Sequence, residues 1–183
     1  MPSTFVAKGA ERYDAIMGRW SRRLAPPFLD FGARESEAIV FEEAFVAALR
    51  ARLGGARLQA RQGDVCALPF DDAVFDAAYS MLVLHFVSDP PRALGEMRRV
   101  LKPGAVAAAA VWDQMGGMPS WRLFFETVRA VDPEAERSGA IPRRRPLTGE
   151  GELRAAFEAA GFSRVADTML TIRMDYEGFE DFW

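Results

Sequence analysis

The spacing of apolar positions along the chain changes period several times, and each change predicts an element. From Ala10 to Phe31, Tyr13, Ile16, Met17, Trp20 and Leu24 recur at close to helical spacing, until Pro26 and Pro27 interrupt the pattern. Ala38–Phe41 is a short apolar run. Glu43–Leu53 follows with Phe45, Ala48, Leu49 and Leu53 on one helix face, and Gly54-Gly55 as its stop. Ala56, Leu58 and Ala60 alternate with Arg57, Gln59 and Arg61, as in a half-exposed strand. Asp76–Phe86 and Ala105–Trp112 are nearly continuous apolar runs, as expected of parallel strands covered on both faces. Between them, Asp89 caps a helix with Pro90 at its first position and Leu94, Met97 and Leu101 as its buried stripe; Pro103-Gly104 ends it. This is strand–helix–strand, right-handed by default. Ser120 opens a helix from Trp121 to about Val131. Thr148 opens another that carries Leu153, Phe157 and Ala160 and stops at Gly161. Leu170, Ile172, Met174 and Tyr176 then alternate with polar residues, predicting a late strand with one wet face.

Composition narrows the class. Half of the 183 residues are hydrophobic and 27% are charged, which suits one globular domain rather than a disordered chain. The net charge of −3 and pI near 5.3 argue against a broad basic surface for nucleic acid. Cys66 is the one cysteine and His85 the one histidine, so an internal disulfide and a multi-cysteine zinc site are excluded and no metal site is expected. The longest clean apolar run, Ala105–Trp112, is far shorter than the roughly 18 residues of a membrane span, so none is expected. "MPSTFVAKGAERYD" holds no secretory leader core, and a reducing cytoplasm is the expected compartment. The closing "YEGFEDFW", with three aromatics in five residues, reads as the start of a further element.

Gln62–Ala105 carries a more specific signal. "QGD" is followed by "LPF", then "FD" and an apolar strand, then a helix and "RVLKPGA" leading into another strand. This order resembles the class I S-adenosylmethionine-dependent methyltransferases, and is most similar to the group that includes the ubiquinone and menaquinone C-methyltransferases. Ala105 stands where that group has a second glycine. The N-terminal "RYDAIMGRWSRRLAPPFLDF" looks like the group's substrate-side lid. The resemblance implies an α/β, Rossmann-like fold with a mostly parallel sheet flanked by helices. Residues 1–30 would be the helical lid and 31–183 the methyltransferase-like domain. It also implies S-adenosylmethionine as cofactor and a small-molecule methyl acceptor as partner.

Methyl transfer from a sulfonium is an in-line displacement in which the protein supplies position and a dry cavity. By the resemblance, Asp64 accepts from the adenine's exocyclic amine and Val65 lies beside the ring. Ser80 and Met81 line the floor under the methionine portion, and Tyr13, with Arg19 and Trp20, closes over the cofactor. His85 is the candidate general base. Each has a plainer reading. "QGD" is an ordinary strand-to-turn signal, Ser80 and Met81 fit a core, His85 can simply shape the pocket, and the N-terminal helix can simply cover the sheet. Arg143–Arg145 can meet an anionic substrate or line a solvated loop. Cys66 reads as a small buried residue.

The group's glycine-rich first motif should stand between "FLDF" and "EAFVAALRARL", yet only residues 32–42 are there. A strand, turn, helix and second strand need roughly 30 residues. Neither G-x-G-x-G nor G-x-G-x-x-G occurs in the chain. The fold is therefore expected to be shortened by one βα unit, with Ala38–Phe41 taking the vacant place beside the strand of Asp76–Phe86. Two functions follow: a shortened small-molecule methyltransferase, or a non-catalytic remnant or partner-dependent binding module that has lost the cofactor. A dinucleotide-dependent oxidoreductase is disfavoured because its own glycine fingerprint is missing. Oligomeric state is not readable.

Overall fold

A computed structural model describes residues 18–32, 39–40, 61–114, 116–139, 141 and 143–182. Tyr13, the Glu43–Leu53 helix and most of the Ala56–Arg61 strand lie outside these residues. The described elements are α1 (Arg19–Gly32), β1 (Ile39–Val40), β2 (Arg61–Gln62), β3 (Phe75–Met81), a 3-10 turn at Leu84–Phe86, α2 (Pro90–Val100), β4 (Leu101–Ala110), α3 (Pro119–Val131), α4 (Glu152–Ala159) and α5 (Phe179–Phe182). Both strand pairs are parallel, so the chain is an α/β protein with a parallel sheet and flanking helices.

The β3–α2–β4 unit is the best-built part. Asp89 caps α2 as its sequence promised: its Oδ1 accepts from the Arg92 amide at 3.1 Å, and Pro90 sits in the first turn. That satisfies one of the amides a helix start leaves without a partner. Leu94 is fully buried and Met97 and Leu101 nearly so, which drives the inner face of α2 into a core with Leu84, Val87, Ala93 and Phe157. The helix ends at Val100, three residues before Pro103, and the chain turns directly into β4. Pro103 and Gly104 therefore do not stop α2. They sit within β4, where the register slips between Phe75 opposite Leu101 and Ala77 opposite Val106, and Gly104 takes φ 82°.

Further expectations change. Ser120 does not open α3: it lies inside the helix, which starts at Pro119 after Met118. The short apolar segment does form a strand, but β1 pairs with β2, Ile39 opposite Arg61 and Val40 opposite Gln62, and not with β3. Strands consecutive in sequence usually lie side by side, and here that preference outweighs the vacancy proposed beside β3. The prolines of "LAPPF" do not break α1, which runs through Pro26 and Pro27 to Gly32. The two prolines lack the amides that would bond the carbonyls of Arg22 and Arg23, but those residues lie on the exposed side, while Trp20, Leu24 and Phe28 are buried on the other. Thr148 does not cap α4. It is buried, its hydroxyl donates to the Arg145 carbonyl at 2.8 Å, and the helix starts at Glu152. The late alternating segment, 170–176, is not in a sheet.

α4 ends as expected. Gly161 adopts φ 84°, a conformation costly for other residues. The Phe162 amide then reaches the Phe157 carbonyl at 3.1 Å and the Gly161 amide reaches Glu158 at 3.0 Å. The rings of Phe157 and Phe162 meet with centroids 5.0 Å apart, the apolar contact that accompanies this type of helix stop.

Candidate functional site

In open α/β sheets ligands bind beyond the carboxyl ends of the strands. Two turns occupy that place here. After β2, Asp64 accepts from the Cys66 amide through Oδ1 at 2.8 Å, and its carbonyl accepts from Ala67 at 3.0 Å. The turn is self-contained and holds the exposed Asp64 carboxylate at the strand end, with Oδ2 free of recorded protein partners. Val65 and Cys66 pack against the core below. After β3, Ser80 is buried and Met81 half-buried. Leu82 then turns with φ 60°, and its amide donates to Ala110 of β4 at 2.8 Å. A bulky side chain in the left-handed region is strained, and such residues concentrate at functional turns. No sequence signal marks Leu82 for this conformation.

What fastens the first turn was also unread. Glu96 Oε2 accepts from the Leu68 amide at 2.8 Å, and Arg99 donates to the carbonyls of Phe70 and Leu68 at 2.8 and 3.0 Å and to Asp72 at 2.7 Å. Arg92 Nε reaches the Cys66 carbonyl at 2.8 Å. Arg92, Glu96 and Arg99 recur at helical spacing along α2, so one helix face grips the whole loop 66–72. The Arg99 hydrogen bond, above all, holds the Glu96 carboxyl below the usual carboxylate range, and the Leu68 amide adds to it. Burial, then the carboxylates of Asp64 and Asp89, push the Cys66 thiol up, which suits a packing residue better than a nucleophile.

His85 lies in the 3-10 turn, 1% exposed, with neither ring nitrogen hydrogen-bonded. Its ring stacks obliquely on Phe86, centroids 4.1 Å apart. Burial, then the charge of Arg145, lower its pKa to about 4, so it is neutral at pH 7. Arg145 lies over the Phe86 ring at 4.3 Å, and its loop is fixed by hydrogen bonds from the Arg145 amide and the Thr148 hydroxyl to Gln114 Oε1, at 3.0 and 3.3 Å. Arg144 pairs with Glu152. Trp20 is buried and meets Tyr176 edge-on at 5.4 Å, while Phe28 meets Tyr79 at 6.3 Å, so α1 lies against β3 and β4.

A cavity of about 1630 Å³ lies elsewhere, along the outer side of β4, bounded by α1, α3, α4 and the 162–176 segment. Asp64, Val65, Ser80, Met81 and His85 do not line it. No group of three potential metal ligands and no helix long and apolar enough to cross a membrane occurs among the described residues.

A parallel sheet, helices on its faces and polar turns at the strand ends define an α/β protein of Rossmann-like kind, and the comparisons narrow it. Residues 18–109 match the family model for the methyltransferase domain, so the chain belongs to that family. It is 35% identical over 112 residues to the mouse mitochondrial arginine-hydroxylase NDUFAF5, covering 61% of this chain and 31% of that protein. It is 57% identical over 47 residues to the 2-phytyl-1,4-naphtoquinone methyltransferase of Nostoc punctiforme, covering 26% of this chain and 20% of that one. The chain thus spans less than a third of the first curated relatives it matches. Among solved structures, the methyltransferase complexed with the Haloferax volcanii activator Trm112 superposes with a TM-score of 0.66 at 20% identity, covering 97% of this chain and 87% of that one. A SAM-dependent methyltransferase from Thermotoga maritima gives 0.60 at 19%, covering 84% and 76%.

Proposed function

We propose that this chain transfers methyl groups from S-adenosylmethionine to a small-molecule acceptor. The observation that carries the reading is the pair of turns at the carboxyl ends of β2 and β3: Asp64 with a free carboxylate oxygen on one, Ser80, Met81 and the strained Leu82 on the other. These residues fit the cofactor's chemistry. A carboxylate oxygen without a protein partner accepts from an exocyclic amine, and the half-buried Val65 offers an apolar wall beside it. Ser80 and Met81 form the floor under the methionine end, with Tyr13 and α1 as the lid. When bound, the cofactor supplies the electrophilic methyl group; the protein's part is to orient it and keep water out. His85, neutral at pH 7, is a poor proton acceptor as it stands. It serves better as a pocket wall, and becomes a general base only where an acceptor group restores its basicity. One free thiol and no disulfide suit a reducing cytoplasm.

The experiment is calorimetric titration of the chain with S-adenosylhomocysteine. A Kd in the micromolar range is expected, weakened about tenfold or more by Asp64→Asn, since hydrogen bonds to a charged group contribute about 1.5–3 kcal/mol. A folded chain that shows no heat of binding would establish the second reading, a non-catalytic or partner-dependent member. One observation favours that second reading: the glycine-rich motif that would hold the methionine end is absent from the sequence. The name of the mitochondrial relatives raises an arginine side chain as an alternative substrate; free arginine and an arginine-containing peptide belong in the acceptor screen beside naphthoquinols.

A further inference from the structure

The three consecutive arginines of the loop between α3 and α4 have different surroundings. Arg143 is exposed, and Arg144 pairs with Glu152. Arg145 is half-buried, and among the described residues its guanidinium meets no carboxylate; it lies over the face of Phe86, 4.3 Å from the ring centroid. Burial lowers its pKa, and no carboxylate counters that. A guanidinium drawn out of water without a counter-charge is unfavourable. Arg99, also half-buried, is by contrast held between Glu96 and Asp72. The loop is fixed to the sheet. Gln114, just past the end of β4, accepts from the Arg145 amide at 3.0 Å and from the buried Thr148 hydroxyl at 3.3 Å. Met81 closes β3 opposite Ala110, the last residue of β4. Arg145 therefore stands at the carboxyl ends of β3 and β4, the end of the sheet that holds Ser80 and Met81. His85 completes the cluster. Its ring is buried, meets Phe86 at 4.1 Å, has neither nitrogen hydrogen-bonded, and is close enough to Arg145 to be acted on by its charge. Arg145 and His85 do not border the gap beyond β4, so the cluster is a separate feature.

We propose that Arg145 is an acceptor-binding residue of this site, and that the methyl acceptor carries a carboxylate. The planar guanidinium matches a carboxylate with two parallel hydrogen bonds. Phe86 covers one face of it and holds the fork in place. The bonds to Gln114 fix the loop before any ligand arrives, so little order has to be imposed on binding. A carboxylate there supplies the counter-charge that the described part of the chain withholds. It also brings an acceptor oxygen next to His85, whose imidazole N–H has no partner in the protein. The same negative charge offsets that of Arg145, which, after burial, acts against protonation of His85. Arg143 and Arg144 take no part: one faces water and the other is committed to Glu152. That the acid is a methyl acceptor rests on the methyltransferase reading; its binding at Arg145 needs no cofactor.

His85 is the one histidine of the chain, so its ring signals in an NMR spectrum are a single reporter beside Arg145. The test is titration of the 183-residue chain with benzoate, read from those signals, with benzamide and phenyl phosphate as the uncharged and the phosphate counterparts. Benzoate is expected to shift the His85 signals saturably at millimolar concentration, and benzamide to leave them in place. Arg145→Gln should weaken benzoate by about tenfold or more, since it removes charged hydrogen bonds. Arg145→Lys, which keeps the charge and loses the fork, should weaken it by less, and Arg144→Gln should not weaken it. The urea midpoint of each variant shows whether it is folded; if Arg145→Gln is not, the contrast between Arg145→Lys and Arg144→Gln decides. Absence of a saturable shift overturns the assignment. So does an equal response to benzamide, or full affinity in the folded Arg145 variants. Tighter binding of phenyl phosphate than of benzoate overturns the choice of a carboxylate. Binding of S-adenosylhomocysteine without any response to benzoate removes the acid site and leaves the methyltransferase reading standing. A benzoate response without S-adenosylhomocysteine binding keeps Arg145 as an acid site and overturns its role toward a methyl acceptor.

Discussion

On one flank of the β3–β4 pair, α2 presents Leu94, Met97 and Val100 to the core and grips loop 66–72 with Arg92, Glu96 and Arg99. On the other flank, α3 is amphipathic by sequence yet has no buried residue, and Trp121, Leu123, Phe124 and Val131 are exposed. The two helices have comparable length, and α3 is the more apolar of the two, so composition does not explain why α2 is the buried one. The difference is what each apolar stripe meets: α2 meets α4 and the sheet within the chain, α3 meets an open gap. The residues that identify the family cluster on the first flank, because that flank holds the turn after β2 that would read the cofactor.

The contrast is sharpest in the core under α2. Leu94 is 0% exposed and belongs to the core cluster that joins α2 to Leu101 of β4 and Phe157 of α4. Leu94→Ala should destabilise the chain by about 3 kcal/mol, within the roughly 2–5 observed for such truncations, as read from the urea midpoint at constant slope. A loss under about 1 kcal/mol would mean that this flank is as loosely packed as the other.

The same flank was the legible one. Asp89, Pro90 and the Leu94–Met97 stripe announce α2 because capping and periodicity are local; the structure keeps the start of the helix to the residue and ends it at Val100, before Leu101 and Pro103. The "QGD…LPF…RVLKPGA" order identified the family for the same reason: each piece is a turn or a helix end with its own chemistry. What stayed hidden depends on tertiary contact. The strain at Leu82, the grip of Glu96 and Arg99 on the loop, and the pairing of β1 with β2 need residues distant in sequence. The alternating 170–176 segment was read as a strand because its pattern is one; what it meets among the described residues is α1, through Trp20 against Tyr176 and Arg23 on the Arg173 carbonyl, rather than another strand. The roles of Asp64, Val65, Ser80 and Met81 rest on the family likeness, and Tyr13 lies outside the described residues.

His85 tests the same flank through protons. The unfolded chain protonates it near its ordinary pKa of 6.5, while the folded chain resists until about 4. Between those values the unfolded state holds more protons, so stability falls as the pH drops from 6.5 through 4. The full loss is about 3 kcal/mol, at 1.36 kcal/mol per unit. His85→Leu removes the charging group and two unsatisfied nitrogens, so it should match or exceed the parent at pH 7 and diverge from it steadily toward pH 4. Parallel stability curves for the two proteins would show that His85 is wet rather than buried. Glu96 acts lower: its depressed carboxyl contributes stability that is lost as the pH falls below its ordinary 4.5. The His85 comparison is therefore cleanest above that value.

A smaller effect is expected at the start of α2. Asp89→Ala removes the bond to the Arg92 amide and should cost about 1 kcal/mol, the usual loss for an N-cap. Asp89→Asn, which keeps an acceptor oxygen, should recover most of it. Equal losses in both would assign the effect to the carboxylate's charge rather than to the cap.

The smallest effect belongs to the open flank. Leu123 is 67% exposed on α3, which has no buried residue among those described. With nothing to desolvate, Leu123→Ser should change stability by less than about 0.5 kcal/mol; most of what remains is the modest helix preference of leucine over serine. A leucine at the same helical depth on α2 costs several times more, and the ratio of the two losses measures how unequal the flanks are. A Leu123→Ser loss near that of Leu94→Ala would mean that α3 is covered in solution. Sedimentation of the parent at the same concentration then tells whether another copy covers it, and a strictly monomeric parent would place the cover within the chain itself.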